Sequence, residues 1–132
     1  MPPKDFPRFV VTETLQGAAA ATAANYGKFF IATHKCVVKA ISEVHTTKGT
    51  NGSDVTLTVE RLQGTETSGN GDALLASTLN LKGDDETVQT GTLTTTSANL
   101  ILSAGDRLNL IDTGTLTSLA GVCVSVELEM VD

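Results

Sequence analysis

Aromatic side chains are scarce in this 132-residue sequence, which contains no tryptophan, one tyrosine and four phenylalanines. A carbohydrate-binding surface usually offers aromatic rings on which sugars stack, so the scarcity argues against one. Basic residues are also few, since nine Lys and Arg stand against fifteen Asp and Glu and give a formal net charge of -6. Because phosphate binding needs clustered Lys and Arg, we expect no nucleic acid partner.

Long apolar runs are missing as well. The longest apolar stretch, residues 122–131, is interrupted by Ser125, Glu127 and Glu129, whereas a membrane-spanning helix needs roughly 20 apolar residues. The first residues, MPPKDFPRF, lack the apolar segment of a secretory signal. We therefore expect no membrane partner and synthesis in a cytoplasm. Two cysteines do not make a disulfide framework, and we expect Cys36 and Cys123 to be free, with a single disulfide as the alternative.

No motif predicts catalysis or a cofactor. The sequence contains no G-x-S-x-G elbow and no phosphate-binding glycine motif. His34, Cys36 and His45 are the only concentration of soft metal ligands, and the odd spacing from Cys36 to His45 predicts that they point to opposite faces of a strand. The acidic residues 84–86 fall in a short turn without a pocket that could shift a pKa. We predict no catalytic residue, no metal, no cofactor and no enzymatic activity.

What the sequence does contain is threonine, valine, leucine and glycine in strand-like alternation. About eight short runs with period-two patterning are separated by turns, and no segment of useful length has helical periodicity. The pattern predicts an all-β fold, an antiparallel, jelly-roll-like β-sandwich of about eight strands. A parallel β-helix is disfavoured because the loops are irregularly spaced. Ala18 to Asn25 is predicted to be a connector, either one helical turn or a closely packed strand.

Three segments give predictions about individual side chains. In DVTLTVERL, residues 54–62, the alternation places Val55, Leu57 and Val59 in the core and leaves Thr56, Thr58 and Glu60 in solvent. In LSAGDRLNLIDTG, residues 102–114, a tight turn precedes a strand whose Leu108 and Leu110 enter the core while Arg107 and Asn109 are exposed. In the last strand, residues 121–131, the even-numbered apolar side chains share one face. The polar loop 63–72 has no apolar anchor and is predicted to project from the body.

The beginning of the chain is predicted to be extended. Three prolines among the first seven residues prevent a helix from starting there. We assign residues 1–17 to an extended N-terminal arm and residues 18–132 to the sandwich domain. Phe6 and Phe9 give the arm an apolar character, which suits a segment that lies on a neighbouring molecule and equally a disordered tail.

Across about residues 26 to 131 the chain resembles small virion proteins of tailed bacteriophages, in particular capsid decoration (cement) proteins built on a jelly-roll-like sandwich. The resemblance rests on the runs FFIATHKCVVKAISEVH, TLNLKGDDETVQTGTL and LILSAGDRLNLIDTGTLTSLAGVCVSVELEMV. Its best local feature is the pattern L-x-AGD-x-L-x-L, residues 102–110, before a final amphipathic strand.

The resemblance implies a structural role at the capsid exterior. Such proteins form trimers that bridge neighbouring capsomers, so the implied partners are the major capsid protein and two further copies of the chain. Within the arm, Phe6, Pro7, Arg8 and Phe9 are the residues expected to contact the capsid or an adjacent subunit. The alternative is a receptor- or glycan-binding knob of a tail fibre, which would use the loops 46–54 or 63–72.

Overall fold

The protein folds as two antiparallel sheets that form a β-sandwich. The structure is a computed structural model, and it describes residues 7–15 and 27–131. Its strands are β1 Arg8–Leu15, β2 Lys28–Ile31, β3 Cys36–Val44, β4 Thr56–Leu62, β5 Asp72–Ala73, β6 Leu79–Asn80, β7 Gln89–Thr90, β8 Ile101–Leu102, β9 Arg107–Thr113 and β10 Val122–Met130. A 3-10 turn at Ser97–Leu100 precedes β8.

The strand order is that of a jelly roll. One sheet runs β1-β10-β3, with β7 and β8 both paired to β3, and the other runs β2-β9-β4, with β5 and β6 both paired to β4. The first strand thus pairs with the last, and the next pair inward, β2 with β9, lies in the opposite sheet. Counting β5 with β6 and β7 with β8 as interrupted single strands gives eight positions. The predicted fold class is confirmed.

The predicted arm partly coincides with a strand. Arg8–Leu15 pairs antiparallel with β10 over eight consecutive residues, from Arg8 opposite Glu129 to Leu15 opposite Val122. This part of the predicted arm is extended, as the prolines indicate, but it lies at the edge of the chain's own first sheet. Residues 1–6 and 16–17, the remainder of the predicted arm, lie outside the described residues, and so does the connector 18–25.

The core between the sheets is aliphatic. Val55, Leu57 and Val59 of the β4 region are fully buried, as the alternation predicts, and so are the even-numbered residues 122 to 128 of β10. The described phenylalanines, Phe9, Phe29 and Phe30, are only partly buried and pack against the margin of this core. The aromatic rings of the described residues therefore all lie on the edge strands β1 and β2. Within the described residues, no helix is long and apolar enough to cross a membrane.

A bulge in β3 changes which side chains face the core. Val38 pairs with Leu128 and Ala40 with Glu127, so Lys39 has no partner on β10. One extra residue shifts the alternation, and Cys36 and His45 are consequently both buried, at 2% and 0% exposure. The prediction that they point to opposite faces was wrong because it assumed an uninterrupted strand.

The loop 63–72 folds back over the outer face of the second sheet. Gly69 donates its backbone N–H to Glu60 Oε1 at 2.8 Å, and Arg107 donates to the carbonyls of Gly64 and Glu66 at 2.8 and 3.1 Å. Glu60 and Asn109 are therefore buried. The sequence predicted that Glu60 and Asn109 are exposed and that the loop projects from the body, and both predictions were wrong. Hydrogen bonds to Glu60 and from Arg107 hold the loop against the sheet without any apolar anchor.

We expect Arg107→Ala to lower the free energy of unfolding by about 1–3 kcal/mol, because two hydrogen bonds from a charged donor are lost, one exposed and one part-buried. Backbone amides of the loop 63–72 should exchange faster with solvent, which hydrogen-exchange mass spectrometry can follow. Arg8→Ala is the matched control: Arg8 pairs with Glu127 and Glu129 but is largely exposed, so its loss should cost at most about 1 kcal/mol. Equal effects of the two variants would contradict the anchoring role.

Candidate functional site

An apolar pocket opens where the two sheets part at the edge strands β1 and β2. Its volume is about 430 Å³, and it lies at the end of the sandwich where β1 and β3 begin and β2 and β10 finish. The lining residues are Pro7, Arg8, Phe9, Phe30, Thr33, His34, Cys36 and Met130. Three of the four residues predicted to contact a capsid or a subunit line this pocket, and the fourth, Phe6, lies outside the described residues.

An aromatic pair holds the two edge strands together beside the pocket. Phe9 of β1 and Phe30 of β2 have ring centroids 5.9 Å apart and ring planes inclined by 47°. Aromatic pairs at this separation and tilt are favourable because the edge of one ring meets the face of the other. The pair thereby forms one wall of the pocket and closes the core at the open side of the sandwich.

Arg8 is the one arginine or lysine among the described residues that line the pocket. Its Nε lies 2.8 Å from Glu129 Oε2 and its Nη1 lies 3.1 Å from Glu127 Oε1, both across the β1–β10 pairing. These exposed contacts hold the guanidinium against β10, above the mouth of the pocket. The opening therefore combines an apolar floor with a polar rim on which one guanidinium meets two carboxylates, and an apolar centre with a polar rim is the usual anatomy of a protein contact surface.

Two apolar side chains are exposed on the same edge strands. Val10 of β1 and Ile31 of β2 are 56% and 63% exposed. β1 also ends the strand order of its sheet, so its outer backbone groups have no partner strand among the described residues. A regular eight-residue edge strand of this kind is a template on which another chain can pair. We define the open edge as β1, β2 and the pocket between them.

The pocket contains a cysteine that is not activated for chemistry. Burial raises the pKa of the Cys36 thiol, and the nearby negative charge of Asp106 raises it further. A thiol with a raised pKa holds its proton at neutral pH and is a poor nucleophile. Cys36 pairs with Met130 and Cys123 pairs with Val44, at opposite ends of the β3–β10 pairing, and both cysteines are free.

His34, Cys36 and His45, the soft metal ligands noted in the sequence, do not come together in the structure. His34 lines the pocket, whereas His45 lies at the other end of β3, roughly 30 Å away at the rise of a strand. In the described part of the chain no group of three or more His, Cys, Asp or Glu side chains could hold a metal ion. The acidic turn 84–86 is exposed, and Asp85 accepts a hydrogen bond from the backbone of Lys48 at 2.8 Å.

A buried ion pair lies at the end of the sandwich opposite the pocket. His45 Nδ1 is 2.8 Å from Glu43 Oε2, and His45 Nε2 is 2.8 Å from the carbonyl oxygen of Gly83. Glu43 Oε1 accepts a further hydrogen bond from Gln89 at 2.7 Å. Because a carbonyl and a carboxylate both accept, the ring must donate from both nitrogens, which only the imidazolium form does.

The surroundings of His45 favour that charged form. Burial by itself lowers the pKa of His45, but the hydrogen bonds to Gly83 and Glu43 and the negative charges of Glu43 and Asp85 outweigh it, so the pKa is raised above its ordinary value. The imidazolium joins β3 to the turn that contains Gly83. The sequence did not predict a buried Glu43–His45 pair, because these two side chains face inward only as a result of the bulge at Lys39.

Asp112 is the second unusual ionisable group in the core. It lies on β9 opposite Leu57, is 1% exposed, and neither carboxylate oxygen has a hydrogen-bond partner among the described residues. Burial raises the pKa of Asp112, and the nearby backbone N–H of the same residue opposes that rise only in part. The alternation of Leu108 and Leu110 places Asp112 on the inward face, but nothing in the sequence indicates that its carboxylate is buried without a partner.

The geometry describes a jelly-roll sandwich with an apolar pocket and exposed apolar side chains at one open edge. Comparisons of the chain with protein families, with curated proteins and with solved structures found no significant match.

Proposed function

We propose that this protein is a structural virion protein, a decoration protein that binds the outside of a phage capsid as a homotrimer and stabilises the shell by bridging capsomers. The observation that carries the proposal is the open edge. There an unpaired edge strand, two exposed apolar side chains and an apolar pocket occur together with Pro7, Arg8 and Phe9, which the composition of the predicted arm suggests as contact residues.

The physical demands of this role fit the fold. A cement protein performs no chemistry but must be rigid and must occupy many identical sites, where repeated weak contacts add up through avidity. A jelly roll supplies rigidity and recurs among viral capsid and lectin domains. A closed trimer would also cover three identical copies of the β1 edge, which would otherwise promote aggregation.

Charged substitutions on the open edge test this proposal. We expect Val10→Lys and Ile31→Lys to weaken trimerisation and shell binding, because each removes an apolar side chain worth about 1.5–3 kcal/mol when buried. That corresponds to roughly a tenfold to hundredfold rise in Kd. Light scattering coupled to size exclusion reports the mass, and co-sedimentation with purified capsid shells reports binding.

Val88→Lys is the matched control. Val88 is 64% exposed, and it adjoins β7 at the far side of the first sheet, separated from β1 by β10 and β3. This variant should trimerise and pellet with shells as the wild type does. A wild-type protein that is monomeric and ignores shells would overturn the proposal, and retention on a glycan array instead would favour the tail-fibre alternative.

A further inference from the structure

Three strands of the second sheet place a lysine, an asparagine and a glutamate side by side. Lys28 of β2 pairs directly with Asn109 of β9, and Asn109 pairs directly with Glu60 of β4. Directly paired residues in antiparallel strands point to the same face with Cβ atoms about 4.5–5.5 Å apart. The three side chains therefore form a row across the outer face of the sheet, with Glu60 and Asn109 buried under the loop 63–72 and Lys28 exposed at the end of the row.

The contacts within the row connect all three groups. Asn109 donates its side-chain N–H to Glu60 Oε1 at 3.0 Å, and both residues are buried, at 0% and 4% exposure. Lys28 Nζ lies 3.3 Å from Ser68 Oγ, and Ser68 Oγ lies 3.5 Å from Asn109 Oδ1. One hydroxyl thus separates the amine from the amide.

From this arrangement we propose that Lys28 and Asn109 form an intramolecular isopeptide bond, with Glu60 as the proton-transfer group. An amine held beside an amide reacts as a neighbouring group, with a large gain in effective concentration. A buried carboxylate in contact with the leaving nitrogen can carry protons during the reaction. The product would join the edge strand β2 covalently to the central strand β9.

The reaction balances without any co-reactant. Lys28 is exposed, so its ammonium gives up one proton to water, and the neutral amine attacks Cγ of Asn109 to form the new C–N bond. The bond from Cγ to Nδ2 then breaks. Glu60, which contacts Nδ2, takes the second proton from Nζ and passes it to the leaving nitrogen, so ammonia departs and Glu60 returns to its carboxylate form. The protein loses the elements of one ammonia molecule.

Intact mass spectrometry of the purified full-length chain, after incubation at neutral pH, tests the proposal. We expect the wild type to be lighter than its sequence by one ammonia and to yield a branched tryptic peptide that joins Lys28 to Asn109. Lys28→Arg keeps the positive charge but should retain the full sequence mass. Lys35→Arg, an exposed lysine away from the row, should lose ammonia as the wild type does. Glu60→Gln should slow the loss.

Succinimide formation at Asn51-Gly52 or Asn70-Gly71 also releases ammonia, and the Lys28→Arg variant separates the two reactions. A loss that persists in Lys28→Arg, or a peptide map without a branch, would overturn the proposal. A wild-type chain with the full sequence mass would overturn it too, and would show that the row of contacts only anchors the loop 63–72.

Discussion

Replacing Glu43 with alanine should lower the free energy of unfolding by about 3–5 kcal/mol, the largest effect we expect from a single substitution outside the aliphatic core. The His45 imidazolium would remain buried without its counter-ion, and the side chain of Gln89 would lose the oxygen to which it donates. Urea unfolding followed by far-UV circular dichroism measures the loss, since the chain has no tryptophan. Glu127→Gln, a half-exposed carboxylate on the same sheet, is the control and should change stability by at most about 1 kcal/mol.

The same ion pair predicts how stability depends on pH. His45 has a pKa raised above its unfolded value of 6.5, so the folded state holds a proton that the unfolded state releases. The stabilisation is complete below pH 6.5 and is lost as the pH rises from 6.5 through the raised pKa of the folded state. A series of urea midpoints should fall across that interval in the wild type and stay flat in His45→Gln. A wild-type midpoint that rises over the same interval would mean that His45 is neutral in the folded protein.

Asp112→Asn should instead stabilise the protein, by about 1–3 kcal/mol at neutral pH, because a buried carboxylate without partners is replaced by a neutral group of the same shape. Since burial raises the pKa of Asp112 above 3.8, the folded state binds the extra proton and wild-type stability falls as the pH rises from 3.8 through the raised pKa. The advantage of the variant should therefore vanish near and below pH 3.8. Urea unfolding at several pH values measures it.

The control for this prediction is Asp84→Asn, which changes the same chemical group in an exposed turn and should leave stability nearly unchanged. An Asp112→Asn variant that is less stable than the wild type at neutral pH would show that the carboxylate has a partner that it needs. Asp112 faces inward only in the register that places it opposite Leu57, so a stabilising effect of Asp112→Asn would also support that register.

The strands were within reach of the sequence, but their order in the two sheets was not. The alternation in 54–62 and 121–131 identifies which side chains of β4 and β10 enter the core, because a half-buried strand must present one apolar face. Turn residues between the runs separate the strands, and the absence of helical periodicity leaves a sandwich as the economical fold. The structure, not the sequence pattern, places the described phenylalanines at the margin of an aliphatic core.

The buried polar residues depended on tertiary structure. Lys39 has no partner on β10, and this one-residue bulge turns the side chains of Glu43 and His45 from the outer face of β3 to the core. The bulge arises from the pairing of β3 with β10 and not from the local sequence pattern. Glu60 and Asn109 are buried because a polar loop folds over them through contacts distant in sequence. Alternation reports which face of a strand a residue occupies, but only the packed molecule decides whether that face meets water.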